Sequence, residues 1–151
     1  MDESIRRKIL GVLDAHRIMT IATLRADGWP QATTVGYVNE GLSLYFLCGL
    51  DSQKAQNLAR DDRVSLTIDH DTPDIMQITG LSMAARAKPV QDRAEAERVL
   101  RLLPGKYSDQ PTPLPFPMPT ADQVRIFRVE PVVISVLDYS LGFGHTDLVQ
   151  C

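Results

Sequence analysis

The sequence predicts a mainly β (α+β) domain, an antiparallel six-stranded β-barrel with peripheral helices. Six segments have strand-like composition, and most of them follow one another through short turns that contain Asp, Asn or Gly. Strand and helix patterns do not alternate regularly, which disfavours a doubly wound parallel sheet. Since 151 residues suit one domain of ordinary size, residues 1–151 are expected to form a single domain.

The first part of the chain predicts an amphipathic helix followed by three strands. Residues 3–15 place apolar side chains at helical spacing, with charged residues on the other faces. Residues 18–25, 30–38 and 42–48 then have strand composition, and short turns separate them, the first at Asp27-Gly28. These three segments predict an antiparallel meander.

The middle and end of the chain predict a second helix and three further strands. Ser52 is a suitable N-cap for the helix, because its hydroxyl can accept a backbone N–H bond. Strand patterns follow at residues 63–68, 75–90 and 124–137. Gly80 interrupts the long second pattern and is expected to mark a β-bulge.

A third helix and a proline-rich arm lie between the last two predicted strands. Asp92 and Glu95 form a capping-box-like start to the helix, and Pro104 is expected to end it. Six of the ten prolines fall in residues 104–119, which predicts an irregular arm with few backbone ladder bonds. Its apolar side chains need a cover, either the domain itself or a second subunit: Leu114, Phe116 and Met118.

Composition narrows the class of partner and the location. The net charge is −3 and the isoelectric point is about 5.5, so no overall basic field favours nucleic acid or anionic membranes. Cys48 and Cys151 lie far apart and form no metal-ligand spacing, which suits a reducing compartment. The charged N-terminal region is unlike a signal peptide, and no apolar run reaches the ~18 residues of a membrane span. We therefore expect a cytoplasmic protein.

Lys54 occupies an unusual position, the first turn of the second predicted helix. A cation there faces the positive end of the helix dipole and is mildly disfavoured. An anion would remove the penalty, because unpaired N–H groups, the Ser52 hydroxyl and the Lys54 ammonium together form a phosphate cradle. Thr33, Thr34 and Gly36 on a neighbouring strand suit a flat group attached to that phosphate. The alternative is an ordinary capped helix whose lysine extends into water.

The residues from 20 to 69 resemble the core of the pyridoxamine 5′-phosphate oxidase-like, FMN-binding split-barrel family. The most specific features are T-x-x-x-D-G-x-P at residues 23–30, S-x-K-x-x-N-L at residues 52–58 and R-V-S-L at residues 63–66. The resemblance is good over about residues 5–90, and the strand at 124–137 is compatible with it. It implies a split β-barrel.

The resemblance also implies a homodimer with two FMN molecules held between its subunits. By position, Ser52 and Lys54 would bind the FMN phosphate. The segment running along the isoalloxazine ring would be Thr33, Thr34, Val35 and Gly36. Gln77 would reach the cofactor from the partner subunit, and Asn57 would brace the helix. The implied activity is that of a flavin-dependent oxidoreductase acting on a small organic substrate.

Several alternatives remain open at this level. The oxidases carry an arginine-rich C-terminal portion for the substrate phosphate, whereas no arginine follows Arg128 here, which disfavours oxidation of vitamin B6. Related split barrels use a deazaflavin or bind haem, and a non-enzymatic storage or sensing protein is the chief rival. A structural or regulatory dimer with an empty cleft is a third hypothesis. No catalytic acid or base is evident.

The three histidines give little support to a metal centre. His16, His70 and His145 have no metal-ligand spacing, so no metal site is expected. His145, in a Gly-Phe-Gly-His sequence, is either a haem ligand or cofactor contact, or more simply a histidine in a glycine turn.

Overall fold

The computed structural model describes residues 1–113 and 118–151. Three helices and eight strands form within these residues. The helices are α1 (Glu3–Ala15), α2 (Gln53–Arg60) and α3 (Arg93–Lys106). The strands are β1 (Ile18–Leu24), β2 (Pro30–Gly36), β3 (Val38–Glu40), β4 (Ser43–Cys48), β5 (Arg63–Asp69), β6 (Thr79–Pro89), β7 (Arg125–Asp138) and β8 (Thr146–Gln150). None of the described helices is both long and apolar enough to cross a membrane.

All the strands belong to one antiparallel sheet. Its order is β2-β1-β5-β6-β7-β4-β3, and β8 pairs with β7 outside this path. The sheet curls into a half-barrel, so that β2 at one end of the order contacts β4 near the other. Helices α1 and α3 pack against it, and the predicted split β-barrel with peripheral helices is confirmed.

The predicted number of six strands is wrong, because one strand divides and the tail adds another. The backbone N–H of Tyr37 donates to Arg17 O at 3.2 Å, and its buried hydroxyl donates to Leu13 O at 2.7 Å. These bonds interrupt the predicted strand at 30–38 and divide it into β2 and β3. Positive φ angles at Gly142 and Gly144 then reverse the chain, so that β8 pairs with β7.

The bulge in β6 was predicted at the wrong residue. Gly80 pairs regularly with Asp69, and the register shift falls instead between Ala84 and Ala85, where Val132 of β7 is the extra residue. Position 80 requires glycine for a steric reason, because a Cβ there would lie 2.5 Å from Ile68 O of the neighbouring strand.

Helix α3 continues past the proline that was expected to end it. Pro104 lies within the helix, which runs to Lys106. The missing N–H costs one bond near the end of the helix, and two others hold the last turn. Tyr107 N–H donates to Leu103 O at 3.1 Å, and Lys106 Nζ donates to Leu13 O at 2.7 Å.

The rest of the predicted arm has no helix or strand where it is described. Residues 107–113 and 118–124 contain turns, bends and coil only. Leu114 and Phe116 lie outside the described residues, whereas Met118 is half-buried. That the domain itself or a second subunit covers Leu114 and Phe116 stays a prediction.

The core lies between the concave face of the sheet and helix α1. Alternate residues of β5 point into it, as predicted, because Val64, Leu66 and Ile68 are buried while their neighbours are exposed. Helix α1 contributes Ile9 and Leu13, which are fully buried. Each such aliphatic side chain contributes roughly 1.5–3 kcal/mol on burial. This packing fixes β1 and β5, the strands beside which the candidate site is built.

Candidate functional site

The N-terminus of α2 follows β4 after a short turn and is capped as predicted. Ser52 Oγ accepts a hydrogen bond from Ala55 N–H at 3.1 Å. Lys54 lies in the first turn, as the sequence indicates. The backbone N–H groups of Gln53 and Lys54 find no acceptor among the described residues. Two donors at the positive end of the helix dipole therefore stay available.

Asn57 braces α2 against the sheet. Its side chain is fully buried, and its Nδ2 donates to Thr23 Oγ1 of β1 at 2.9 Å and to Gln31 Oε1 of β2 at 3.3 Å. Its Oδ1 accepts from Gln53 Nε2 at 2.8 Å and from the Arg60 guanidinium at 3.0 Å. This network ties the helix to two strands, in the role expected for Asn57.

A cavity of about 120 Å³ opens at this junction. Its lining residues come from three elements and their caps: Thr23, Gln31, Thr33, Ser52, Gln53 and Lys54. Thr33 Oγ1 is buried and has no hydrogen-bond partner among the described residues. Lys54 is half-buried and forms no ion pair within the same part of the chain.

The chemistry of this cavity favours an anion. A hydroxyl, an ammonium and two backbone N–H groups border it, and no acceptor among the described residues satisfies them. Buried polar atoms without a partner are uncommon in folded proteins, and one at a pocket wall suggests a ligand atom in its place. A phosphate can accept all four bonds, so the residues fit a phosphate-bearing cofactor.

The remaining candidate residues of β2 do not share one face. Thr33 and Val35 point inward, and Val35 packs against the core, whereas Thr34 and Gly36 are exposed on the opposite face. Only Thr33 reaches the cavity. A Cβ on Gly36 would lie 2.5 Å from the Tyr107 hydroxyl. The sequence suggested a flat ligand group beside Gly36. Within the chain, the side chain of Tyr107 occupies that place.

Gln77 lies away from this cavity within the chain. It ends a short 3₁₀ turn, Ile75–Gln77, that follows the Asp69 end of β5 and is exposed. The cavity lies instead near the Arg63 end of β5, since Ala22, beside Thr23, pairs with Ser65. A contribution of Gln77 to the partner's site stays a prediction.

The sequence interpretation missed three polar residues of the site: Thr23, Gln31 and Gln53. Gln31 was recoverable, because it lies two residues before Thr33 in β2 and so shares its inward face. Thr23 was also recoverable, because it alternates in phase with the buried Met19 and Ile21 of β1.

An arginine-rich cleft adjoins the site beyond the end of β1. Arg25, Arg60 and Arg63 line a cavity of about 460 Å³. Two of these arginines are paired with carboxylates. Hydrogen bonds from the Arg63 side chain and backbone lower the pKa of Asp61 to about 2. The Trp29 backbone N–H and then Arg25 lower the pKa of Asp27, so both carboxylates are ionised at neutral pH.

Within the described residues, each histidine contacts one other polar side chain, and the histidines do not assemble a metal centre. His16 Nε2 lies 3.0 Å from His70 Nδ1, and His145 Nε2 lies 3.2 Å from Asp147 Oδ2. No cluster of three or more His, Cys, Asp or Glu side chains suited to a metal occurs in residues 1–113 and 118–151.

Comparison with known families decides where the chain belongs. A sequence model described as pyridoxamine 5′-phosphate oxidase matches residues 5–138. The protein belongs to the pyridoxamine 5′-phosphate oxidase family. The match covers α1 from Ile5 onward, the residues that line the cavity at the N-terminus of α2, and the sheet up to the end of β7. The family resemblance seen in the sequence is thus confirmed.

Proteins similar to this chain differ in what is known of them. General stress protein 26 of Bacillus subtilis is 21% identical over 108 residues, which are 69% of this chain and 76% of that protein. The conserved hypothetical protein Rv2991 of Mycobacterium tuberculosis has a TM-score of 0.75 and 27% identity, over 97% of this chain and 91% of its own.

A third similar structure is HutZ, the haem storage protein of Vibrio cholerae. It has a TM-score of 0.64 and 18% identity, over 83% of this chain and 88% of its own. At this identity the likeness shows the fold alone. A similar fold occurs in a haem storage protein and in a general stress protein.

Proposed function

We propose that this protein is an FMN-binding oxidoreductase that acts as a homodimer on a small organic substrate. The observation that carries the proposal is the set of donors without an acceptor around the α2 cavity: Thr33 Oγ1, the N–H groups of Gln53 and Lys54, and the Lys54 ammonium. A phosphate monoester satisfies each of these donors. Membership of the pyridoxamine 5′-phosphate oxidase family supports the same cofactor.

The energy of phosphate binding at this site follows from charge. Near neutral pH the phosphate of FMN carries close to two negative charges, and the helix N-terminus and Lys54 present positive charge to them. Each charge-assisted hydrogen bond contributes about 1.5–3 kcal/mol. Asn57 keeps the helix in place, so the donors are held before the ligand arrives.

The rest of the cofactor needs a second subunit. A cavity of about 120 Å³ is smaller than the roughly 300–1,000 Å³ of typical small-molecule sites, so it can hold the phosphate end only. The tricyclic ring would lie beyond the cavity along β2, where one protomer leaves it open to water. A partner protomer that contributes Gln77 would cover it, as the family resemblance implies.

The flavin would supply the redox chemistry by exchanging hydride or electrons with the substrate. The residues of this chain would hold the phosphate, orient the ring and exclude water. Among the described residues that line the α2 cavity, Lys54 is the only ionisable side chain, so the phosphate end of the cofactor would meet one charged side chain there.

Titration with FMN, followed by quenching of flavin fluorescence, tests the proposal. Lys54→Ala should weaken binding about tenfold or more, because it removes one charge-assisted contact. Lys88→Ala removes an exposed cation from β6 and is the matched control, which should bind FMN like the wild type. Equal affinity in the Lys54→Ala variant and the wild type would refute the site.

A spectrum of the purified protein separates the remaining cofactors. A flavin spectrum supports FMN, a Soret band would indicate haem, and a deazaflavin has its own shorter-wavelength band. Turnover of NAD(P)H by the loaded protein distinguishes an enzyme from a storage or sensing protein.

Light scattering measures the oligomeric state of the FMN-bound protein. A purely monomeric FMN-bound protein would contradict the proposed dimer with the cofactor between its subunits.

A further inference from the structure

The α2 cavity, at the N-terminus of the helix, lies on one face of α2. The opposite face borders a larger cavity of about 350 Å³, the α2–β7 cavity. Helical spacing puts Gln53 and Asn57 on one side of α2, whereas Ala55 and Ala59, which line this cavity, lie on the opposite side. The apolar lining comes from α2, the preceding turn, the end of β6 and the start of β7: Leu50, Ala55, Leu58, Ala59, Pro89 and Phe127. Its volume lies in the range of small-molecule sites.

Arg125, the first residue of β7, stands at the boundary of this cavity and a neighbouring one. This neighbouring cavity has a volume of about 340 Å³, and Arg125 and Pro89 line both cavities. Arg125 is exposed and pairs with no carboxylate in the described residues, while residues 114–117 contain none. Arg128, three residues later, is already paired with Glu95 at 2.8 Å.

We propose that the α2–β7 cavity binds a small amphipathic carboxylate, with its apolar body against Leu58 and Phe127 and its carboxylate on Arg125. Burial of an apolar body in this cavity gains free energy in proportion to the area removed from water. The planar guanidinium matches a carboxylate with two parallel hydrogen bonds, which fixes the orientation. An uncharged ligand of the same shape would leave the Arg125 guanidinium without a carboxylate partner.

This site is separate from the proposed cofactor site, although one helix borders both. Lys54 and Thr33 do not line the α2–β7 cavity, and Arg125 does not line the α2 cavity. Binding of an amphipathic carboxylate therefore does not depend on FMN. Loss of the FMN site leaves this proposal standing.

Calorimetric titration with decanoate and with decanol, both kept below their aggregation thresholds, tests the charge requirement. The wild type should bind decanoate about tenfold or more tightly than decanol, because only decanoate forms the charge-assisted pair. Arg125→Gln should remove this preference and leave decanol binding unchanged. Lys88→Gln, which removes an exposed cation that lines neither cavity, should keep the preference.

Two further variants locate the apolar body and separate the sites. Ala59→Phe fills the cavity from an exposed helix position and should abolish binding of both probes. Lys54→Ala should bind decanoate like the wild type. The proposal is overturned if decanoate does not bind, if Arg125→Gln binds it as tightly as the wild type, or if Ala59→Phe leaves binding intact. Melting curves of each variant verify that it is folded.

Discussion

Asn57 Nδ2 and Thr23 Oγ1 lie 2.9 Å apart, and both side chains are buried. This bond joins α2 to β1 at the wall of the candidate site. Asn57→Ala should therefore destabilise the protein by about 2–4 kcal/mol, because it breaks a buried network and leaves the Thr23 hydroxyl without its donor. Urea unfolding measures the change. Gln56→Ala, at an exposed position of the same helix, should change the stability by less than about 0.5 kcal/mol.

Thr33→Val separates stability from ligand binding. The buried Thr33 hydroxyl has no partner in the described residues, so replacing it with a methyl group should raise the stability of the ligand-free protein by up to about 1 kcal/mol. The same change removes a donor to the phosphate and should weaken FMN binding several-fold. Melting temperatures without FMN and a fluorescence titration measure the two effects. Lower stability together with unchanged affinity would show that the hydroxyl has another partner.

Gly36→Ala should destabilise the protein by about 1–3 kcal/mol. Its Cβ would meet the Tyr107 hydroxyl at 2.5 Å, and this hydroxyl donates to Arg17 O at 2.7 Å. The double variant with Tyr107→Phe should lose less stability than the sum of the single changes, because the clash disappears with the hydroxyl. A strictly additive double-mutant cycle would exclude steric conflict as the reason for the glycine.

Pro104→Ala should stabilise helix α3 by about 1 kcal/mol. Alanine restores a backbone N–H for Leu100 O and relieves the ring contact with that carbonyl, and the more flexible unfolded chain offsets part of the gain. Thermal unfolding measures the shift. Pro89→Ala, at the last residue of β6, restores no helical bond and serves as the comparison.

Acid should weaken the turn between α2 and β5. Asp61 has its pKa lowered to about 2 from 3.8, mainly by Arg63, so its ionised form is favoured in the folded state. The stabilisation is fully present above the unfolded value and is lost as the pH falls from about 4 to about 2. Urea midpoints at pH 5 and pH 2.5 should therefore fall further in the wild type than in Asp61→Asn. Identical losses would mean that other groups dominate the acid response.

The sequence was sufficient for elements that depend on local patterns. Helix α1, the Ser52 cap and the alternation of β5 follow from apolar spacing and capping chemistry, and each is observed as predicted. Lys54 signalled the site because its charge opposes the helix dipole. The bracing role of Asn57 came from the family motif, and the structure supplied its partners.

The errors arose where tertiary contacts override local signals. Proline often ends a helix, yet Lys106 bonds α1 and holds the last turn of α3 beyond Pro104. Glycine in a strand often marks a bulge, yet Gly80 is required by the close approach of Ile68 O. The bond between Thr23 and Asn57 joins residues 34 positions apart in the chain, and no local pattern reveals such a pairing.

Strand β7 has a divided edge, since β4 pairs with residues 125–129 and β8 with residues 133–137. A chain that ended before β8 would leave the second stretch with open backbone donors and acceptors beside the apolar side chains of Ile134 and Val136. Such an edge is a template for strand addition, so pairing with β8 protects this stretch of β7 from pairing with another chain.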